Sequence, residues 1–389
     1  MSKPRARELG IPFDGKTGRH NSITDVTGVR CGHRTYLDGP GKLVIERGPK
    51  NTGVTAILPR GNNPSKDGID TTVMAGWFSL NGNGEMTGTH LIEEFGVLEG
   101  PIMITNTVSV GTVRDGVIKY RREQLGEKID PENFLSPPVV AETSDEWLND
   151  ILGFHVTEAD VKQAIDGANP IPKQHPQVFT EEGNVGGGTG MICYDWKGGI
   201  GTSSRLVEVG DAGCMLGVLV QANQGQFRDL VVRGVPVGTE MMPPNHHEVG
   251  MRQSRRRKSS IIVVIATDAP MLPTQLKRLA RRAAHGVGRT GTITNNDSGE
   301  IFVAFSTIDA GAYVTSSEVV SLDTIQNYEI MDRFFKATVD ATEEAIVNAL
   351  VAAETLEGRD GNKAWGITDP TLPGNSLLQV MQEYNRPRM

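Results

Sequence analysis

The sequence predicts a layered α/β domain in which two sheets are covered by helices. Short apolar runs bounded by Gly, Asn, Asp and Pro recur along the 389 residues, which is the pattern of strands in a sheet. Segments with helical spacing are interleaved with them over the whole length. Length alone allows two ordinary domains, but this interleaving, without repeats or low-complexity tracts, favours a single domain over residues 1–389.

The predicted strands begin with "GVTAILPR", "TTVMAGWFSLNG", "PIMITN" and "PPVVAET". Later in the chain they continue with "GMICYDW", "AGCMLGVLVQAN", "SSIIVVIATDA" and "GEIFVAFST". Each run is short, apolar and flanked by turn-forming residues. We therefore expect these runs to form the sheets of the domain.

Two of the segments with helical spacing carry signals for a first turn. In "TEADVKQAIDGA", Thr157 and Asp160 have the spacing of a capping box. In "PTQLKRLARRAAHGVG", Pro273 suits the first turn, where a backbone N–H has no intrahelical partner. Another segment, "VGTVRDGVIKYRREQLG", is predicted to be helical from its spacing alone.

The longest predicted helix is "DRFFKATVDATEEAIVNALVAAETLEG". Its spacing puts four apolar side chains near one face, Phe335, Val339, Ile346 and Leu350. Gly358 closes the segment and is the predicted stop, because glycine adopts the left-handed conformation that ends many helices.

The composition is that of a soluble globular protein, with 38% apolar and 22% charged residues. No run approaches the roughly 18 apolar residues of a membrane span, and the N-terminus "MSKPRARELGIPFDG" lacks the apolar core of a secretory signal. A formal net charge of −8 argues against a general nucleic-acid binder, which needs a positive field. We therefore expect a cytoplasmic protein that binds neither nucleic acid nor membrane.

Cysteine and glycine usage lead to two further expectations. Cys31, Cys193 and Cys214 are widely spaced and form no CxxC pair, which favours buried thiols over a disulfide framework or a zinc site. Glycine supplies 46 residues, well above the usual ~7%, which suits tight turns and close backbone approaches. The cluster "GNVGGGTGMICYDW" follows polar sequence and precedes a strand-like run, so it does not match a dinucleotide-binding fingerprint.

One segment, "MMPPNHHEVGMRQSRRRK", has the composition of a linker, and we expect residues 241–259 to be exposed. Its adjacent histidines, His246 and His247, would point apart in an extended segment and have no third ligand nearby, so no metal site is predicted. The basic run "RRRK" lacks interleaved aromatic residues and a basic domain around it, which argues against nucleic-acid binding.

The linker ends at two serines, Ser259 and Ser260, directly before an apolar run. One interpretation is an ordinary junction between a loop and a strand. The other is that the chain is cut here, which leaves a serine at a new N-terminus. Such a residue carries both nucleophile and base, because a free α-amine titrates at about 7.7–8.0 and can accept the hydroxyl proton. Spacing alone leaves both interpretations open.

Long blocks in order along nearly the whole chain favour the second interpretation. Before the junction they are "GNNPSKDGIDTTVMAGWFSLNGNGEMTGTHLIEEFGVLEGPIMITNT", "VVAETSDEWLND", "GNVGGGTGM" and "GVLVQANQG". After it they are "SIIVVIATDAPMLPTQLKRLARRAAHGVGRTG" and "NNDSGEIFVAFST". Together these blocks closely resemble the L-aminopeptidase/D-amidase-esterase and β-aminopeptidase family of self-processing serine hydrolases.

The resemblance implies a four-layer αββα sandwich, shared with ornithine acetyltransferases and analogous to the N-terminal-nucleophile hydrolases. It implies one precursor that cleaves itself into an α chain of residues 1–259 and a β chain of residues 260–389. It also implies an aminopeptidase or amidase without metal or organic cofactor. Its substrates would be small peptides, amides or esters, and its assembly a homo-oligomer of processed heterodimers.

The same resemblance assigns roles to individual residues. Ser260 is the nucleophile that forms the acyl-enzyme, and Ser259 provides the carbonyl attacked during maturation. In "NNDSGEIF", Ser298 would hydrogen-bond the nucleophile, while Glu300 would orient the group and balance the ammonium charge. In "VLVQANQG", Asn223 would donate to the oxyanion.

Two residues of "VVAETSDEW" are candidates for substrate binding. Glu142 resembles the acidic residue that receives the substrate's free amino group, since a buried ammonium must be paired. A solvated loop acid is the alternative for Glu142. Trp147 either walls the pocket or belongs to the core.

Two features depart from the family pattern. Ser259 stands where Gly or Asn is most common, and serine lacks glycine's conformational freedom, so maturation could be slower. The "RRRK" run is longer or more charged than the usual linker. Two other functions stay open: an acyltransferase of the ornithine acetyltransferase type, although those use threonine at the junction, and an uncleaved, non-catalytic member of the fold.

Overall fold

The computed structural model describes residues 3–61, 72–126, 136–168, 180–211, 213–244, 259–309, 318–326 and 328–385. The described residues form two large β-sheets, packed face to face, with helices against both outer faces.

The larger sheet has six strands, and the chain visits them out of sequence order. In spatial order they are β4 (Val97–Glu99), β3 (Thr72–Gly82), β12 (Ser298–Asp309), β11 (Ser259–Thr267), β10 (Cys214–Asn223) and β9 (Gly199–Val207). The central strand β11 pairs parallel with β12 and antiparallel with β10. Because both of its faces are covered, its sequence is apolar without alternation.

The smaller sheet has four strands in the order β1 (Arg30–Leu37), β2 (Asn51–Leu58), β5 (Ile102–Asn106) and β6 (Val139–Thr143). β6 is an edge strand, and Met86 from the segment after β3 bridges to its Ala141. That segment therefore connects the larger sheet to the edge of the smaller one. Two hairpins are formed by β7 (Ile192–Cys193) with β8 (Trp196–Lys197) and by β13 (Leu356–Glu357) with β14 (Lys363–Ala364).

Helices form the outer layers. α2 (Val110–Leu125) and α3 (Glu158–Asp166) share an apolar cluster with the smaller sheet, and α5 (Pro273–Arg289) and α6 (Glu329–Ala352) share one with the larger sheet. A separate cluster fills the space between the sheets. The shorter helices are α1 (Thr89–Phe95), α4 (Val237–Glu240) and α7 (Leu377–Glu383). The expected αββα sandwich is confirmed.

Side chains of β11 alternate between two of these clusters. The odd-numbered residues from Ile261 to Ile265 pack toward α5 and α6, and the even-numbered residues from Ile262 to Ala266 pack between the sheets. Full burial of a Val or Ile side chain contributes about 1.5–3 kcal/mol. A shift of β11 by one residue would exchange its two faces, so its register is strongly specified.

The helix starts are confirmed, and the predicted helix stop is wrong. Asp160 accepts a hydrogen bond from the N–H of Thr157 at 2.8 Å, and Pro273 is the first residue of α5. α6 ends at Ala352, well before Gly358, which follows β13. Asn184 exchanges two hydrogen bonds with the backbone of Glu354, so a tertiary contact turns the chain where no glycine does.

α6 is buried over more of its surface than one apolar face. Phe335, Val339, Ile346 and Leu350 are buried as expected, and so is every residue from 337 to 352. The N-terminal segment and β9 cover the polar side: Arg7 of the first and Arg205 of the second both pair with Glu344, at 2.7 and 2.6 Å. Pairing is required there, because an unpaired buried charge is strongly destabilising.

The expectation of one strand over "GMICYDW" is wrong. The run forms the β7–β8 hairpin, in which Tyr194 and Asp195 turn the chain with φ of +53° and +63°. β9, "GIGTSSRLV", has no apolar run that would predict it. A Cβ added to Gly201 would lie 2.0 Å from the carbonyl oxygen of Ala345, so close packing against α6 explains the small residues of this strand.

Among the described residues, no helix is long and apolar enough to cross a membrane, and no three His, Cys, Asp or Glu side chains are grouped to hold a metal ion. None of the three cysteines forms a disulfide with another described residue; Cys31 and Cys193 are buried and Cys214 is half-buried. Most of the predicted linker, including both histidines and "RRRK", lies outside the described residues. Its two ends, at Met241 and Ser259, are buried.

Candidate active site

Ser259 and Ser260 are the first two residues of the central strand β11. Ser260 lies opposite Asn223, the last residue of β10, and beside Gly299 of β12. Ser259 lies beside Ser298. Both serines are nearly buried, at 6% and 5% exposure. Strand pairing therefore gathers residues from distant parts of the sequence around the serine junction.

The two serine hydroxyls face opposite sides of the larger sheet. Because side chains alternate, Ser260 shares a face with Ile262, between the sheets, and Ser259 shares a face with Ile261, toward the helices. The peptide bond between the serines therefore joins a residue directed at the smaller sheet to one directed at α5 and α6.

The backbone at Ser259 is ordinary extended strand. Ser259 is not among the described non-glycine residues with positive φ, so this conformation does not require glycine. Its hydroxyl accepts a hydrogen bond from the N–H of Gly225 at 3.2 Å. Serine is thus accommodated before Ser260 without backbone strain and is held by the turn that follows β10.

Asn223 shares the face of Ser260, and two backbone contacts orient its amide. Oδ1 accepts from the N–H of Ile192 at 2.8 Å, and Nδ2 donates to the carbonyl oxygen of Ser144 at 3.1 Å. These contacts assign the amide nitrogen, because only the oxygen can accept from Ile192. Nδ2 carries a second hydrogen, so it can also donate to a reacting oxygen.

Ser298 and Glu300 face the helices, on the same side as Ser259, since the next even-numbered residue, Phe302, packs there. The hydroxyl of Ser298 donates to Oε1 of Glu300. Oε2 of Glu300 is buried and has no hydrogen-bond partner among the described residues. Burial raises the pKa of Glu300 to about 7, against the lowering effect of the Ser298 hydrogen bond.

Gly299 allows a loop from the other side of the sheet to approach the junction. A Cβ added to Gly299 would lie 2.5 Å from the carbonyl oxygen of Asn83. Gly84, which follows Asn83 in the loop, lies between Gly299 and Glu142. A Cβ added to Gly84 would be 3.6 Å from the Cα of Gly299 and 3.2 Å from Oε1 of Glu142. Because Gly84 and Gly299 have no side chains, the Glu142 carboxylate lies close to the strand beside Ser260.

Glu142 is held in place at the end of β6. Its Oε1 accepts from the N–H of Glu85 at 3.0 Å, and its Oε2 accepts from the hydroxyl of Thr107. The residue is 5% exposed. Glu142 is therefore an oriented, nearly buried carboxylate, unlike a solvated loop acid.

Trp147 is half-buried and packs against a small apolar cluster that contains Leu148, Ile192 and Leu356. Its Nε1 is buried without a hydrogen-bond partner among the described residues. Through Ile192 this cluster adjoins the backbone that orients Asn223. The packing favours the core role expected for Trp147 as the alternative to a pocket wall.

The glycine-rich loop fills the space between the sheets. A Cβ added to Gly187 would lie 2.2 Å from Oε1 of Gln221 and 2.7 Å from the carbonyl oxygen of Ile104. The buried side-chain nitrogen of Lys197 donates to the carbonyls of this loop at Met191 and Gly188, at 2.9 and 3.3 Å. The loop leads directly into Ile192, so its packing positions Asn223.

Sequence patterns did not single out two polar residues beside the site, Ser144 and Gln224. The hydroxyl of Ser144 and both amide atoms of Gln224 are buried without hydrogen-bond partners among the described residues. Gln224 directly follows Asn223 in "QANQG", and Ser144 lies two residues after Glu142 in "AETSD". This proximity in sequence was the available signal, but burial is visible only in the structure.

The αββα sandwich, with a serine pair at the buried start of its central strand, places the protein in the class of αββα serine hydrolases. The sequence model of peptidase family S58 matches residues 21–364. A relative named beta-peptidyl aminopeptidase BapA, from Sphingosinicella microcystinivorans, is 47% identical over 98% of this chain and 93% of its own. A protein of the same name from Sphingosinicella xenopeptidilytica is 44% identical over 98% and 92%.

Solved structures agree with these sequence matches. The L-aminopeptidase D-Ala-esterase/amidase of Ochrobactrum anthropi, described as a prototype for the serine aminopeptidases with a variant of the Ntn hydrolase fold, superposes with a TM-score of 0.85. It is 43% identical, with 99% of both chains covered. A Burkholderia sp. beta-aminopeptidase is 40% identical, with a TM-score of 0.81 over 98% of this chain and 99% of that one.

This chain belongs to peptidase family S58. It is an aminopeptidase and amidase, a hydrolase that acts on peptide substrates.

Proposed function

We propose that this peptidase matures by cutting itself between Ser259 and Ser260, and that Ser260 is then its N-terminal nucleophile. The position of Ser260 carries the proposal: it begins a central strand with Asn223 opposite. Oε2 of Glu300, on the neighbouring strand β12, is buried on the opposite face of the sheet without a hydrogen-bond partner among the described residues. A nucleophile, an oxyanion donor and an acceptor for a new ammonium group are therefore available around one peptide bond.

Maturation requires only the chain and water. Oγ of Ser260 attacks the carbonyl carbon of Ser259, the hydroxyl proton passes to the departing nitrogen, and the C–N bond breaks to give an ester. Water hydrolyses this ester, which leaves a carboxylate on Ser259 and restores the Ser260 hydroxyl beside a free amine. The chains 1–259 and 260–389 then stay together, because β10 of the first pairs with β11 of the second from Leu216↔Thr267 to Asn223↔Ser260.

In the mature enzyme the free amine of Ser260 accepts the hydroxyl proton as the oxygen attacks a substrate carbonyl. Asn223 donates to the oxyanion, an interaction that typically contributes about 10²–10³ in rate. Water releases the acyl group from the ester. Glu300 balances the ammonium that forms during the reaction, and Ser298 holds the Glu300 carboxylate.

A direct bond from Ser298 to the nucleophile requires a change after cleavage. In the continuous chain the side chains of Ser298 and Ser260 face opposite sides of the sheet. Cleavage removes the peptide bond before Ser260 and frees its nitrogen. We propose that this amine, and not the hydroxyl, then meets Ser298 and Glu300, while the hydroxyl stays on the face of Asn223.

For the substrate, we propose a free N-terminal amine whose ammonium pairs with Glu142. The carboxylate is oriented by Glu85 N–H and Thr107 and is nearly buried, so an ammonium there would replace water with a fixed counter-charge. We further propose a preference for N-terminal β-amino acid residues. This preference is supported by two relatives, 47% and 44% identical, that are named beta-peptidyl aminopeptidases.

We also propose that the processed heterodimers form a homo-oligomer in the cytoplasm, as the family resemblance implies. Light scattering on the purified, cut protein would give its mass. A mass equal to one α chain plus one β chain would contradict the oligomer.

The decisive experiment is intact-mass spectrometry with N-terminal sequencing of the purified protein. We expect two chains, the second beginning "SIIVV", and hydrolysis of β-alanine p-nitroanilide faster than of the L- and D-alanine analogues. A persistent single chain that hydrolyses these substrates would overturn the N-terminal nucleophile. A cut protein that prefers an α-amino acid substrate would overturn only the substrate preference.

A further inference from the structure

A buried amide beside the serine junction has no role in the mechanism above. Gln224 directly follows Asn223 and is 1% exposed, yet neither its Oε1 nor its Nε2 has a hydrogen-bond partner among the described residues. Leaving a buried polar group without a partner is destabilising, and native proteins contain few such groups. The position of Gln224 next to the site indicates a partner that the described residues of the uncut chain do not provide.

Strand pairing places Gln224 next to Ser259. Asn223 pairs with Ser260 in antiparallel register, so the residue after Asn223 comes beside the residue before Ser260. The N–H of Gly225 donates to the hydroxyl of Ser259 at 3.2 Å, which shows that this turn closes over Ser259. Alternation, continued by one residue from Asn223, directs the Gln224 side chain toward the helices.

The same face carries the unpartnered oxygen of Glu300. Two buried acceptors, Oε1 of Gln224 and Oε2 of Glu300, therefore belong to the strand ends on either side of β11. Cleavage before Ser260 would create a hydrogen-bond donor, the ammonium of Ser260, between these two acceptors. An ammonium has three N–H donors, and a single carboxylate oxygen does not satisfy all of them.

We propose that Gln224 is a positioning residue for the amine of Ser260: its side-chain oxygen accepts a hydrogen bond from the ammonium that self-cleavage releases. Together with Glu300, this bond directs the nitrogen relative to the hydroxyl of Ser260 and stabilises the ammonium form. The inference rests on the proposed cleavage before Ser260. It gives the "QANQG" motif a second role, in which Asn223 serves the oxyanion on one face and Gln224 the amine on the other.

Other titratable groups surround this end of β11. They are Glu300 from β12, Glu142 from β6, Asp145 from the loop after β6, and Tyr194 and Lys197 from the β7–β8 hairpin. The backbone N–H of Tyr194 donates to the carbonyl oxygen of Gln224 at 2.7 Å, but the Gln224 side chain has no hydrogen-bond partner among the described residues, so none of these titratable side chains bonds to it. A change in amine titration after substitution of Gln224 would therefore report the new contact.

The test is the pH dependence of kcat/KM for β-alanine p-nitroanilide, measured on the fully cut fraction of each protein. Because Gln224 stabilises the ammonium, Gln224→Met should lower the apparent pKa of the rising limb by about 0.5–1 unit. Gln224→Glu adds a negative charge and should raise it. The matched control is Gln226→Met at an exposed position two residues on, whose profile should equal that of the wild type.

Opposite shifts in the two variants support the inference, because a merely structural defect would not move the profile in both directions. Unchanged profiles in both variants would overturn it while leaving self-cleavage intact. If Gln224→Met is not cut, Gln224→Glu decides alone: an upward shift supports the contact and no shift overturns it. A wild-type chain that is never cut would instead refute the proposed cleavage itself.

Discussion

Asn223 and Ser260 are direct partners across the β10–β11 ladder, and both side chains face the space between the sheets. The Asn223 amide is held at both ends, by the N–H of Ile192 and the carbonyl of Ser144. The proposed oxyanion donor is thus fixed by backbone contacts before any substrate arrives. Such preorganisation is what makes a hydrogen-bond donor effective in a transition state.

Asn223→Ala should lower kcat by about 10²–10³, with a smaller effect on KM, because the lost bond forms mainly in the transition state. Steady-state kinetics on the cut protein would measure both constants. Asn375→Ala, at an exposed position, is the control and should behave as wild type. A kcat within threefold of the wild-type value would remove Asn223 from the mechanism.

Ser260→Ala should remain full length and inactive, because the variant has no hydroxyl to attack the Ser259 carbonyl. Ser259→Ala is the matched control: it should be cut, with Ser260 as the new N-terminal residue. Mass spectrometry distinguishes these results. Splitting of purified Ser260→Ala at this junction would exclude self-processing by Ser260.

Ser259→Ala and Ser259→Gly should both mature faster than wild type, by about 2–10-fold. Both lose the hydrogen bond from Gly225 N–H, which holds the residue before the cut and has a net worth of about 0.5–1.5 kcal/mol. Ser259→Gly should mature only slightly faster than Ser259→Ala, since the backbone at Ser259 is extended and unstrained. A time course after cell-free synthesis would measure the rates; acceleration by glycine alone would assign the effect to backbone freedom.

The raised pKa of Glu300 predicts a pH-dependent stability of the uncut chain. Because burial raises this pKa from 4.5 to about 7, the fold favours the protonated carboxyl. Its stabilising contribution is full below pH 4.5 and is lost as the pH rises to about 7. In the Ser260→Ala background, urea unfolding should show this loss, and adding Glu300→Gln should remove it. An unchanged pH slope after adding Glu300→Gln would show that Glu300 does not cause it.

Glu142→Gln should raise KM for substrates with a free amine by about 10–100-fold, because a charge-assisted hydrogen bond contributes about 1.5–3 kcal/mol. The matched control is Glu85→Gln, an exposed neighbour whose backbone N–H bonds Glu142. Its KM should stay near the wild-type value. Equal KM values for Glu142→Gln and wild type would show that another group receives the substrate's amine.

Much of the fold could be predicted because burial and capping leave local marks in the sequence. The apolar run after Ser260 indicates a strand covered on both faces, and Thr157 and Asp160 mark the start of α3. The prediction that the longest helix ends at Gly358 is wrong, because a glycine that can end a helix need not do so. Asn184 provides a tertiary contact at the true end of α6 instead.

The sequence by itself determined the fold class, the family and the serine junction, since long ordered motifs and apolar runs are properties of the chain as written. Only the tertiary structure decided that Ser260 and Asn223 share one face while Ser259, Ser298 and Glu300 share the other. Only the structure, likewise, revealed the buried amide of Gln224. The physical reason is that register and burial depend on pairing between segments far apart in sequence, and no local pattern encodes which face or partner a polar side chain will meet.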